Sequence, residues 1–216
     1  MVRSACGATL SLLLCLGLLL VSGCAGDEQQ TSGDAAKTAP PAAAAKPPAP
    51  QAATSYDTDQ SISLMEAAVT GDAGRALEAL DQGADPNFRH PEGYTALMGA
   101  AFDGHSAVVQ TLLEHGAQID VLDPAGRTAL MYASSGPFEE TVRILLEHGA
   151  DPLVVDKEEE FTALMFAAGE GQVAVIKALL EYGADPNKVD VDGDTALDFA
   201  VKNGHTETVA LLKSLQ

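Results

Sequence analysis

Carboxylates are the most numerous reactive groups in this chain, and two short runs gather them. In DKEEE, Asp156–Glu160, four carboxylates flank one lysine. Such a set could meet a basic partner or a divalent cation. DVDGD, Asp190–Asp194, imitates the start of a calcium loop. A helix–loop–helix calcium site closes on a glutamate at its twelfth position. Counted from Asp190 that residue is Val201, so a turn is the expected reading, and DKEEE reads as an inserted, solvated loop. His105 and His205 each follow a glycine, His115 and His148 each precede one, and His90 stands apart in a loop. No Ser/His/Asp arrangement, Gly-rich phosphate loop or zinc spacing is present. General acid/base work needs paired groups in a shaped, dry pocket. No catalytic residue, metal or cofactor is therefore expected, and the chain does not read as an enzyme.

The remaining reactive group is a thiol. The chain has 216 residues and three cysteines, and Cys24 is the last of them. It follows a start with one positive charge, Arg3, and an apolar run from Leu10 to Val21. A basic start, a short apolar run and small residues after it are the parts of a secretory signal. The polar, acidic AGDEQQTSGD that follows has no Lys/Arg cluster to act as a stop-transfer anchor. VSGC, Val21–Cys24, resembles the lipobox of bacterial lipoproteins. The resemblance implies cleavage after residue 23 and acylation of Cys24. With Ala at position 25, it also implies the outer membrane, with the protein facing the periplasm. More than one acyl chain makes such anchoring stable. The body beyond Cys24 has no thiol, which suits an oxidising compartment and excludes a disulfide framework.

Net charge is −19, and all the acidic residues lie after position 26. Such a body repels nucleic-acid phosphates and anionic headgroups, so a nucleic-acid partner is set aside. Residues 24–60 hold the lipidated cysteine and an Ala/Pro-rich tether with almost no large apolar residue. That composition cannot bury a core and predicts a disordered or polyproline spacer.

From residue 61 the chain repeats itself. Thr95, Thr128, Thr162 and Thr195 open YTALM, RTALM, FTALM and DTALD at spacings of 33, 34 and 33. An earlier copy, SLMEAAVTGDAGRALEALDQGADPN, fits the register without the threonine. Each threonine predicts an N-cap, and TALM a short helix. Gly71, Gly104, Gly171 and Gly204 predict turns. Val175, Ile176, Leu179 and Leu180 fall on one face of a second helix. One copy cannot bury that stripe alone, so the copies must stack.

These motifs resemble the ankyrin repeat. The match covers residues 61–216 as about five copies, 61–93, 94–126, 127–160, 161–193 and 194–216. It implies an all-α solenoid of helix-turn-helix units joined by hairpin-like loops. Met98, Met131, Met165 and Asp198 stand in the family's His position, which predicts loss of its polar bridge. Pro137 replaces a turn glycine. The loop LVVDKEEEF is one residue longer than its counterparts and lacks their glycine, so the third copy should be the least regular. The end copies should be polar caps, and Lys202, Asn203, Glu207 and Lys213 agree with that.

Tyr132, Phe166 and Phe199 share one repeat position, with Gly99 as their counterpart. The resemblance places it on the concave face, where three stacked rings would form a contact ladder; a half-buried packing role is the alternative. Tyr94, Phe102 and Phe161 extend the set, and the loop residues Asp156, Glu158, Glu159 and Glu160 add charge. The expected function is a membrane-anchored, monomeric adaptor that binds a protein partner, one with a basic patch fitting the charge. The alternatives are a divalent-metal or small-ligand binder using the acidic loops, and an accessory factor for a periplasmic enzyme.

Overall fold

The computed structural model describes residues 58–215. The expected export signal, Cys24 and residues 24–57 of the expected tether lie outside the described residues; residues 58–60, read as the end of that tether, instead open the first helix. Among the described residues ten helices run in pairs and no strand is formed. The pairs are α1 (Thr58–Thr70) with α2 (Ala73–Asp81), α3 (Ala96–Phe102) with α4 (Ser106–Glu114), α5 (Ala129–Ser134) with α6 (Glu139–Glu147), α7 (Ala163–Gly169) with α8 (Val173–Glu181), and α9 (Ala196–Lys202) with α10 (Thr206–Lys213). The odd-numbered helices pack in series as one layer, and the even-numbered helices as a second. None of these helices is long and apolar enough to cross a membrane.

Each first helix starts where its threonine caps it. The hydroxyls of Thr95, Thr128 and Thr162 accept the backbone N–H groups of Met98, Met131 and Met165 at 3.3–3.4 Å. That satisfies one of the donors a helix start leaves open. The core follows the repeat. Leu64, Leu97, Leu130 and Leu164 fill one position, Leu112, Leu145, Leu179 and Leu212 another, and all are buried. Each contributes roughly 1.5–3 kcal/mol by burial. Ala67, Ala100, Ala133 and Ala167 are also buried and let the first helices approach closely.

Asp198 takes over from methionine in the last copy and restores a polar cap. Its Oδ2 accepts from the Thr195 hydroxyl at 2.6 Å and from the Thr195 N–H at 2.9 Å. The Thr195 hydroxyl bond, and then the N–H bond, hold this carboxyl below its ordinary range. A depressed acid stabilises the fold above its unfolded pKa, near 3.9, and loses that contribution as pH falls through the folded value. Between pH 5 and 3 the wild type should therefore lose more stability than Asp198→Asn in urea titrations. Parallel losses would remove this role.

Turn glycines serve the stacking directly. Gly71 has φ 74°, and a Cβ there would fall 2.6 Å from the His105 ring of the next copy. Gly171 relates to His205 in the same way, at 2.5 Å. In each case the ring Nε2 donates to a carbonyl of the preceding copy, Val69 O at 3.1 Å and Gly169 O at 2.9 Å. Phe138 takes this place over Gly104. It packs there but has no nitrogen to donate.

The third copy is irregular, as its sequence predicts. Gly136 does not take the left-handed conformation found at Gly71, Gly104, Gly171 and Gly204. The turn closes through Ser135 N–H to Tyr132 O and Gly136 N–H to Ala133 O. Glu160 sits where other loops have Gly93, Gly126 and Gly193, and it alone among the described non-glycine residues has positive φ, 58°. A left-handed L-residue costs roughly 1–2 kcal/mol. Its exposed ion pair with Lys188, at 2.8 Å, returns little. Glu160→Gly should raise the stability of the chain by about 0.5–1 kcal/mol in urea melts; a loss would show that the side chain matters more than the backbone.

The ends expose apolar residues beside the polar ones expected of caps. Lys202, Asn203, Glu207 and Lys213 are exposed. So are Ile62, Val69 and Leu77 in the first copy and Val201 in the last. Val201 is 54% exposed, whereas Ala68, Ala101 and Ala168 at the same position are buried.

Candidate functional site

The residue just before each cap threonine and the fourth residue after it form two columns. The first column is Tyr94, Arg127, Phe161 and Asp194; the second is Gly99, Tyr132, Phe166 and Phe199. The columns interleave on the face made by the first helices and the loops. Phe102 meets Tyr132 edge-on at 6.0 Å. Arg127 lies over the Phe166 ring at 5.5 Å. Phe161 meets Phe166 at 5.7 Å and Phe199 at 5.1 Å, both edge-on. Lys202 then lies over the Phe199 ring at 5.8 Å.

The rings expected to stack directly are thus joined through Phe161 and Arg127. All five rings are half-buried, and Tyr132, Phe161, Phe166 and Phe199 pack against the core. Edge-to-face pairs and cation–π contacts of this kind fix ring orientation and are favourable by about 0.5–1.5 kcal/mol each. Tyr94 does not join the row; it stacks on His90 at 4.4 Å.

A row of acids beneath the rings holds the loops in shape. Asp123, Asp156 and Asp190 occupy one repeat position and are buried. Asp123 Oδ1 accepts Arg127 N–H at 2.8 Å, and its Oδ2 accepts the Tyr132 hydroxyl at 2.6 Å. Burial first, and then the bond to Asp123, push the Tyr132 hydroxyl well above the ordinary phenol range, so it stays a donor. Asp190 Oδ1 accepts from Asp192 and Asp194 N–H at 2.9 and 2.8 Å. DVDGD is therefore a turn whose first carboxylate is committed to its own backbone.

Asp156 corrects an expectation. Proposed as a partner contact in a solvated loop, it is 2% exposed. Its Oδ1 accepts from Glu159 and Phe161 N–H, each at 3.1 Å. Its Oδ2 lies 3.5 Å from Arg127 Nε without hydrogen-bond geometry, so the two atoms are held by charge alone. Asp156 shapes the loop and is not available to a partner. Glu158 remains outside, paired to Arg127 at 3.7 Å, Glu160 is paired to Lys188, and Glu159 is exposed. Among the described residues no group of three or more His, Cys, Asp or Glu is placed to hold a metal ion.

Arg127 and Asp123 are the residues the sequence reading passed over. The signal was present: Arg127 precedes Thr128 as Phe161 precedes Thr162, and Asp123 stands 33 residues before Asp156. The arrangement gives a firm surface carrying aromatic edges, with little conformational freedom left to lose on binding.

A family model of ankyrin repeats, three copies, matches residues 64–156 and again residues 153–215, more than half of the chain. No curated protein matches the chain.

Proposed function

The chain belongs to the ankyrin-repeat family, whose repeats form protein–protein interaction modules and are typically non-catalytic, and from that premise we propose a lipid-anchored adaptor that holds a protein partner at the periplasmic face of the outer membrane. Cys24 carries the anchor in this reading, and the Ala/Pro-rich stretch after it supplies the reach. The observation that carries the binding role is the half-exposed row from Phe102 to Phe199, held on a stacked scaffold across four copies. Aromatic side chains supply much of the energy at protein interfaces. The partner is a protein with a basic patch, and the net charge of −19 steers it toward the surface in a salt-dependent way.

Two variants test the two halves. Cys24→Ala should move the protein out of the membrane fraction, and retention there would remove the anchor. Tyr132→Ala, Phe166→Ala and Phe199→Ala together, once shown to fold, should abolish a crosslink that the wild-type chain makes in the cell envelope. A partner held equally by both would keep the adaptor and discard the aromatic row.

A further inference from the structure

One junction is built unlike the others, that between the α5/α6 pair and the α7/α8 pair. A ring closes each of the remaining junctions: His105 over Gly71, Phe138 over Gly104 and His205 over Gly171. Gln172 holds that position here and makes no side-chain hydrogen bond among the described residues, and the turn residue of the preceding copy is Pro137. Two arginines cross the junction instead. Arg127, just before α5, lies 3.5 Å from Asp156 and 3.7 Å from Glu158, both in the loop that leads into α7. Arg143 on α6 donates to Glu181 on α8 at 2.7 Å. Both cations stand on one side and all three carboxylates on the other. Two loop bonds complete the contact, Lys157 N–H to Ala125 O at 2.8 Å and Asp151 N–H to the Asp120 carboxylate at 3.2 Å.

The closed junction is imperfectly satisfied. Arg127 Nε and Asp156 Oδ2 are buried and neither makes a hydrogen bond. Their desolvation is offset by charge attraction alone, which seldom covers the cost. The same loop holds Glu160 in the left-handed conformation. A small opening would let water reach both atoms. The aromatic row divides at this place too. Phe102 pairs with Tyr132 on one side, and Phe161 pairs with Phe166 and Phe199 on the other. Among the described residues no ring pair crosses, and Arg127 over Phe166 is the link.

We propose that this junction is a hinge, latched by Arg127 and Arg143, that lets two rigid aromatic blocks change their angle to each other. The outer pairs, Arg143 with Glu181 and Arg127 with Glu158, are partly exposed, and such pairs are weak and screened by salt. A rise in ionic strength therefore releases the latch. The hinge stands on these contacts alone; its use, fitting the row to the shape of a bound protein, rests on the adaptor reading.

The test reads distances between pairs of spin labels by double electron–electron resonance, on the full chain in mild detergent. Labels are attached through ketone-bearing residues, which leaves the native cysteines in place. Positions 107 on α4 and 177 on α8 span the hinge; positions 77 on α2 and 147 on α6 span two junctions closed by rings, and all four are exposed. Going from about 0.1 M to about 1 M salt shortens the screening length from roughly 10 Å to roughly 3 Å. The 107–177 distribution should then broaden by at least about 2 Å, the scale of helix shifts at packed interfaces. The 77–147 distribution and the helical circular dichroism should not change. Arg143→Gln should broaden the 107–177 distribution already at the lower salt. Equal broadening of both pairs, no broadening of either, an unchanged width in Arg143→Gln, or broadening accompanied by loss of helix would overturn the hinge. No partner enters this readout, so a failed hinge leaves the adaptor standing, and an envelope crosslink kept by the aromatic variant removes the row without touching the hinge.

Discussion

Leu164→Ala is expected to cost about 2–5 kcal/mol, the range for truncating a fully buried leucine. Leu164 has no exposure and lies in α7, which packs between α5 and α9. The substitution removes buried methyl groups and leaves a cavity that short, stacked helices can close only by shifting against both neighbours. Domains are stable by roughly 5–15 kcal/mol in total, so a loss of this size is a large fraction of the whole. Because a solenoid is stabilised copy by copy and interface by interface, the effect should also appear as lost cooperativity. Urea titration followed by circular dichroism should show a lower midpoint and a broader transition. Leu153→Ala is the control: Leu153 is 55% exposed and its truncation should cost less than about 0.5 kcal/mol. Equal effects at the two sites would mean that the stacked core is not where the stability resides.

Arg127→Met should cost about 2–3 kcal/mol, because it leaves the Asp156 carboxylate buried without its cation. Breaking a fully buried pair costs about 3–5 kcal/mol, and the part-exposed guanidinium places this one lower. Asp156 keeps its two backbone donors, so the loss comes from uncompensated charge and from the vacated face of Phe166. Asp156→Asn retains an acceptor for those donors and removes the charge. In the double variant it should recover at least half of the loss, and a double-mutant cycle in urea reads that coupling. Additive losses would show that Arg127 acts through packing alone.

The fold was legible because its determinants are local. A threonine caps the helix that begins at the next residue, a glycine ends the one before it, and both recur at 33 or 34 residues. Val175, Ile176 and Leu179 read as core because one copy cannot bury their stripe alone, and they are buried. The site was legible only in part, because its geometry is set one copy away. Asp156 reads as a solvated acid within DKEEE, and only the adjacent Arg127 and the loop's own N–H groups turn it inward. Phe138, which the sequence reading left without a role, packs over Gly104 of the preceding copy. The ring at Phe161 reads as an extension of the row, yet it is the residue that joins Phe166 to Phe199. Glu160 marks a missing glycine in the sequence, and the backbone keeps the left-handed turn regardless.

The loop insertion and the aromatic row meet at one junction. Glu160, Phe161 and Asp156 belong to the same turn, and Arg127 reaches them from the preceding copy. The least regular part of the stack therefore sets the position of Phe161, whose ring completes the row. Backbone strain is commonly found where a surface is specialised.

Site-specific photocrosslinking in intact cells tests the central claim most directly. A photoreactive residue is placed at Phe199, on the face of the row, or at Lys177, exposed on α8 in the other helix layer. The adaptor reading predicts one discrete partner adduct from position 199 and none from position 177. Adducts from position 177 alone, or the same adducts from both, would contradict the assignment of the binding face.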